Sequence, residues 1–247
     1  MPWVILGESV VGTSHCERNC PCQDAFRFGR LGRNEEFLVV AVADGAGSAA
    51  HSEIGATLAC DEFLRIASEV EPETLLLPEV LSSLVAKARN AVVEESQRRL
   101  LAPRELASTF LVAVAGPNSA TFAQNGDGAI VFGIGTEYQT AFWPEPAEYA
   151  NATDFLTDDG FPTALRVQTF TEVVMDLAVL TDGLQRLALD FAGRTPYQPF
   201  FAPLFQELRA VSEIEALNDP FRAFLGSARV NERTDDDKTL VIASRRP

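Results

Sequence analysis

No apolar run in the 247 residues approaches the roughly 20 needed to span a bilayer. The apolar N-terminus, MPWVILGESVVG, has no basic flank and no small-residue cleavage site. It therefore reads as a first strand rather than a secretion signal. Basic side chains are also scarce: 20 Lys and Arg stand against 35 Asp and Glu, a net charge of −15. A surface that acidic repels nucleic acid and anionic membrane, so neither is expected as a partner. It does not exclude an anionic substrate, because bound divalent cations reverse the local sign.

Cysteine is limited to four residues, three of them in His15-Cys16-Glu17-Arg18-Asn19-Cys20-Pro21-Cys22. Structural zinc sites take four ligands in paired spacings, and no second Cys/His pair follows this cluster. Reduced thiols in a cytoplasmic chain are the simpler reading, with a zinc-dependent binding module as the lesser one. No internal repeat, low-complexity tract or linker interrupts the chain, so a single domain over 1–247 is expected.

What is present is enough apolar material for a large core, 47% of residues, and a normal 22% of charged ones. Glu36 to Ala43 is a continuous apolar run of the kind that forms a strand buried on both faces. Apolar spacing predicts a helix from Ser52, taken as its N-cap, to Val70, and a second from about Leu77 to Leu100 with Pro78 in its first turn. Strands then follow at Ser108–Ala115, Ser119–Gln124, from Ala129 and from Thr136. Pro144 to Pro162 reads as a loop, Ala164 to Phe170 and Met175 to Leu180 as strands, and Pro199 to Ala228 as helical with a break near Asn218-Asp219-Pro220. A last strand starts at Thr239. Strands and helices thus come in blocks. That pattern predicts an α+β fold, with two stacked antiparallel sheets flanked by helices.

Aspartates mark the ends of these strands. Asp44 and Asp182 each follow an apolar strand and precede glycine. Asp127 lies in a turn between strands, Asp236 comes just before the last strand, and Asp24 opens a short apolar stretch. An Asp-Gly pair taken singly is usually only a turn. Carboxylates gathered at one sheet edge would repel one another unless cations neutralised them, and hard oxygen ligands select Mg²⁺ or Mn²⁺. Two such ions roughly 4 Å apart can bridge a water and clamp a phosphoryl group.

The motif order Gln23-Asp24, Asp44-Gly45-Ala46-Gly47, Gly126-Asp127, Thr181-Asp182-Gly183 and Asp236-Asp237-Lys238-Thr239 resembles the metal-dependent protein phosphatase family, type 2C. The resemblance runs from about Gly12 to Ser244. It implies a four-layer sandwich of two antiparallel sheets between helices. It also implies a monomer that hydrolyses phosphoserine or phosphothreonine in a phosphorylated protein, using a water that bridges two divalent cations. Asp44 would bridge both metals, the Gly45 carbonyl would bind one, and Asp182 and Asp236 would complete the binuclear site. Asp24 would bind a metal or orient its water, and Asp127 with Asp182 would match the position of a third, weaker ion.

Several positions depart from the family pattern. Gln23 replaces a glutamate, Ala46 stands where many members carry a histidine proposed as general acid, and Ser48 replaces a glycine. Gly128 stands where many members have serine followed by arginine. Asp237 replaces an asparagine, so Asp236 and Asp237 can exchange roles. Arg18 is nearest to the family's phosphate-binding arginine, though at a different spacing. His15 is a candidate phosphate contact or proton donor. The same departures leave open a second reading, a catalytically weak or inactive regulator that binds a phosphoprotein.

Overall fold

The computed structural model describes residues 2–135, 137–144 and 153–246. The first half of the chain contains β1 (Trp3–Val10), α1 (Thr13–Arg18), β2 (Ala25–Leu31), β3 (Phe37–Ala43), α2 (Ser52–Ala67), α3 (Pro78–Arg98), β4 (Phe110–Ala115) and β5 (Ala120–Asn125). The second half contains β6 (Ala129–Ile134), β7 (Glu137–Thr140), α4 (Phe161–Ala164), β8 (Arg166–Phe170), β9 (Asp176–Leu180) and α5 (Gln185–Ala188). After these come β10 (Leu189–Asp190), β11 (Thr195–Pro196), α6 (Gln198–Ala210), α7 (Asn218–Leu225), α8 (Ala228–Asn231) and β12 (Lys238–Arg245).

The strands form two five-stranded sheets with antiparallel neighbours throughout, in the orders β1-β12-β9-β6-β7 and β2-β3-β4-β5-β8; β10 and β11 make a separate short ladder. Side-chain alternation along β3 shows how the layers arise. Leu38, Val40 and Val42 point between the sheets, while Val39, Ala41 and Ala43 point to α2 and α3. A strand covered on both faces favours apolar residues at successive positions, which is why β3 and β4 read as unbroken apolar runs, and β9 and β12 carry such runs from Leu177 and from Leu240, rather than alternating.

Three apolar layers result. Phe63, Leu84, Val85 and Val92 seal the second sheet against its helices. Phe122, Phe132, Leu177 and Val241 fill the space between sheets, where Phe122, Phe132 and the partly buried Phe170 have ring centroids 4.5 to 5.5 Å apart. Phe201, Phe205 and Leu208 of α6 and Phe221 and Leu225 of α7 cover the outer face of the first sheet. The outcome is the expected four-layer α+β sandwich. Among the described residues, no helix is long and apolar enough to cross a membrane.

Some local expectations shift. Ser52 lies inside α2; His51 is its N-cap and makes no side-chain capping bond. The Ser52 hydroxyl is instead buried without a partner, because the Gly45 backbone packs onto this first turn. The segment after Gly12 is helical as α1 and ends at Asn19 in the left-handed region, φ 53°. The break near Asn218 comes earlier, after Ala210, and Asn218-Asp219-Pro220 opens α7, where proline needs no amide partner. Within the expected loop from Pro144 to Pro162, residues 145–152 lie outside the described residues, as does Thr136 ahead of β7.

Candidate metal-binding active site

Antiparallel pairing decides which strand ends meet. Ala25 pairs with Ala43, so Asp24, just before β2, lies beside Asp44, just after β3. Leu180 pairs with both Ala129 and Leu240, so the end of β9 meets the starts of β6 and β12. Asp182, Asp127 and Asp236 are therefore delivered to one edge. The two sheets are joined there by Thr181, whose hydroxyl donates to Asp24 Oδ2 at 2.9 Å and accepts from the Thr239 amide at 3.1 Å.

A cavity of about 250 Å³ opens at this edge, lined by Asp44, Asp127, Asp182, Asp235 and Asp236, together with His15 and Arg18 of α1. Gly45 lies in its wall, and a Cβ there would meet the Gln23 carbonyl oxygen at 2.6 Å. Glycine thus lets the turn after β3 press against the strand that carries Asp24. The Asp44 backbone is pinned both ways, its amide to Thr109 Oγ1 at 3.1 Å and its carbonyl to the Thr109 amide at 2.8 Å. Asp127 Oδ2 accepts from the Thr153 hydroxyl at 2.8 Å. Asp24 stands behind the wall, 8% exposed, with Oδ1 sealed and unpartnered.

The electrostatics are those of carboxylates forced together. Burial pushes Asp24 up to about 8, with the Thr239 and Thr181 hydroxyls opposing and Asp237 and Asp182 adding to the rise. Asp44 is raised well above the usual carboxylate range by burial, then by the charges of Asp24, Asp182 and Asp236. Asp182 rises to about 6, chiefly from burial, with an interaction from Asp44 opposing and the Asp127 and Asp236 charges reinforcing. Among the described residues, no three His, Cys, Asp or Glu side chains are yet gathered closely enough to hold an ion. The carboxylates surround the cavity instead, as like charges do. Their chemistry suits a hard divalent cation: oxygen donors only, with Asp182 Oδ1 also sealed and unpartnered.

Asp236 and Asp237 do not exchange places. Asp236 is exposed and lines the cavity. Asp237 is 2% exposed and turned inward, where Oδ1 accepts the Gly12 amide and Oδ2 the Gln23 amide, both at 2.6 Å. His15 is 4% exposed on α1, with Nδ1 2.9 Å from Asp237 Oδ2. Arg18 stands at the rim, its Nε donating to the Ser14 carbonyl of its own helix at 3.1 Å. The Cys20 and Cys22 thiols are turned to the Arg18 and Asp24 carbonyls, and all four cysteines are free.

Thr109, which pins the Asp44 backbone, and Thr153, which bonds the Asp127 carboxylate, carry no sequence signal, and Thr181 enters the sequence reading only as part of the motif around Asp182. The available signal for Thr181 is its place as a hydroxyl residue immediately before Asp182. A larger cavity, about 750 Å³, runs along β1 against Phe28 and Arg30; among the described residues its acids are Glu35 and Glu215, and none of the motif aspartates lines it.

The family model described as protein phosphatase 2C matches residues 11–225. Serine/threonine-protein phosphatase 3 of Escherichia coli (strain K12) is 39% identical over 249 residues, 98% of each chain. Two solved structures share the fold at low identity. Serine/threonine phosphatase Stp1 from Staphylococcus aureus has a TM-score of 0.67 at 14% identity, over 100% of this chain and 96% of that one. The catalytic domain of serine threonine protein phosphatase PstP, in complex with two manganese ions, has a TM-score of 0.66 at 15% identity, over 99% of each. The chain belongs to the protein phosphatase 2C family, the metal-dependent phosphatases that its motif order resembles.

Proposed function

We propose that the chain hydrolyses phosphoserine and phosphothreonine esters of protein substrates, using Mg²⁺ or Mn²⁺ held at the shared strand edge. The observation that carries this reading is the convergence of Asp44, Asp127, Asp182 and Asp236 on one cavity, with Asp24 directly behind it. Two ions are the working number, and Asp44, the Gly45 carbonyl, Asp182 and Asp236 would hold them. Asp127 with Asp182 would hold a third, weaker ion, and Asp24 would bind a metal or orient the site from behind. When bound, the cations neutralise the phosphoryl oxygens and acidify water for in-line attack.

The chain's own groups do the rest. Thr109 fixes the Asp44 backbone and Thr181 the Asp24 carboxylate, so little reorganisation accompanies binding. Arg18 and His15, on the cavity wall, contact the substrate phosphate, where a guanidinium donates two parallel hydrogen bonds. The protein acts as one catalytic unit over 1–247, as a monomer in the cytoplasm, a reducing setting that four free cysteines support.

The direct test is turnover of a phosphothreonine peptide in Mn²⁺ and in chelator. We expect Mn²⁺-dependent release of phosphate, reduced at least about 100-fold in Asp44→Asn, the scale of one removed electrostatic stabiliser. A folded protein that binds the phosphopeptide without hydrolysing it would favour the regulator instead.

A further inference from the structure

The His15–Asp237 pair is not accounted for by cation binding. Asp237 is buried, faces away from the cavity and is held by two backbone amides. His15 lies between it and the cavity, on α1, with Nδ1 2.9 Å from Asp237 Oδ2. The contact is oblique: Nδ1 is sealed from solvent without a well-aligned hydrogen bond. Lys238 lies in the same environment, fully buried, with Nζ donating to Asn231 Oδ1 at 2.9 Å. An imidazole with one nitrogen turned to a fixed carboxylate has the other available to the cavity. A carboxylate behind a histidine stabilises the imidazolium and fixes which nitrogen carries the transferable proton.

Resting on the phosphatase reading above, we propose that His15 is the proton donor to the departing serine or threonine oxygen, and that Asp237 is its positioning residue. An alkoxide is a poor leaving group, so cleavage needs a proton at that oxygen as the bond breaks. The P–O bond to the side-chain oxygen breaks, and that oxygen takes the Nε2 proton. The oxygen of water forms the new P–O bond. The proton that water gives up returns to the imidazole, so one water is consumed per ester and no redox partner is needed. Ala46, in the turn after β3, offers no proton there, which leaves the imidazole on α1 as the donor facing the cavity.

The test compares leaving groups in the full-length Mn²⁺-loaded protein. A phosphothreonine peptide releases an alcohol and needs the proton; 4-nitrophenyl phosphate releases a stabilised phenolate and needs it far less. In His15→Gln, kcat for the peptide is expected to fall about 100-fold or more, the usual contribution of a positioned acid. The fall for the aryl ester should be at least tenfold smaller. Asp237→Asn should shift the ratio of the two rates in the same direction. Thermal melts and Mn²⁺ titrations establish that each variant is folded and loaded. If either folded, loaded variant loses both substrates equally, or loses neither, its assigned role is overturned. If His15→Gln does not fold, Asp237→Asn alone decides the matter by the same ratio. Native protein that turns over neither ester would sink the phosphatase reading itself, and this proposal with it.

Discussion

Between the sheets, Phe122 and Phe132 pack with Phe170, and Leu38, Val40 and Val42 of β3 and Leu111 and Ala113 of β4 join the same apolar layer. At the ends of the same strands the chain turns to carboxylates that face one another across a cavity of about 250 Å³. The first region stabilises the fold through burial. The second opposes it, because buried Asp24 and half-buried Asp44 and Asp182 are set near one another and each makes ionising the next harder. The comparison teaches that the sandwich tolerates a repulsive edge because its stability comes from elsewhere, and that cations relieve what the strands impose.

Breaking the stable side gives the largest effect on folding. Phe122→Ala removes a ring that touches both Phe132 and Phe170, and should lower unfolding free energy by about 3–5 kcal/mol in a denaturant titration. Mn²⁺ stoichiometry should be retained in the folded fraction, since Phe122 lies within β5 and not at the cavity.

Asp236 and Asp237 sharpen the contrast within two adjacent residues. Asp237→Asn leaves the Gly12 and Gln23 amides short of an acceptor, and should cost about 1–3 kcal/mol of stability. Asp236→Asn, at an exposed position, should change stability by no more than about 0.5 kcal/mol while weakening Mn²⁺ binding. Melting curves with and without Mn²⁺ separate the two; equal effects in both variants would contradict the division of roles.

The same two residues show where the sequence was legible and where it was not. The strand bodies announced themselves: Phe37–Ala43 and residues 177–180 are unbroken apolar runs, and each stops at Asp-Gly or Thr-Asp-Gly. The carboxylates at those stops could be read as a set because their order along the chain resembles a known family. Which of Asp236 and Asp237 faces the cavity could not be read, because the answer depends on Gly12 and Gln23 amides at the other end of the chain. His15 was ambiguous for the same reason: its partner is a residue of the last strand's approach. The α1 helix was missed because six residues without an apolar stripe carry no periodic signal, and tertiary contacts with the 235–237 segment hold it. Ser52 misled because a serine ahead of an apolar-periodic run resembles an N-cap even when it is buried beneath a glycine turn.

The most direct measurement of carboxylate convergence is a calorimetric Mn²⁺ titration repeated in buffers of different ionisation enthalpy between pH 6 and 8. Asp24, raised from its ordinary 3.8 to about 8, and Asp182, raised to about 6, hold protons in the metal-free fold that the unfolded chain releases near pH 4. Their contribution to metal-free stability is therefore fully present below that point, and is lost as pH rises through about 6 and then about 8. Cations must displace those protons. The account predicts Mn²⁺ binding coupled to proton release that diminishes toward pH 8, with affinity rising over the same range, and both reduced in Asp44→Asn. Mn²⁺ binding with no proton release at any pH, or a folded protein that binds no Mn²⁺, would contradict it.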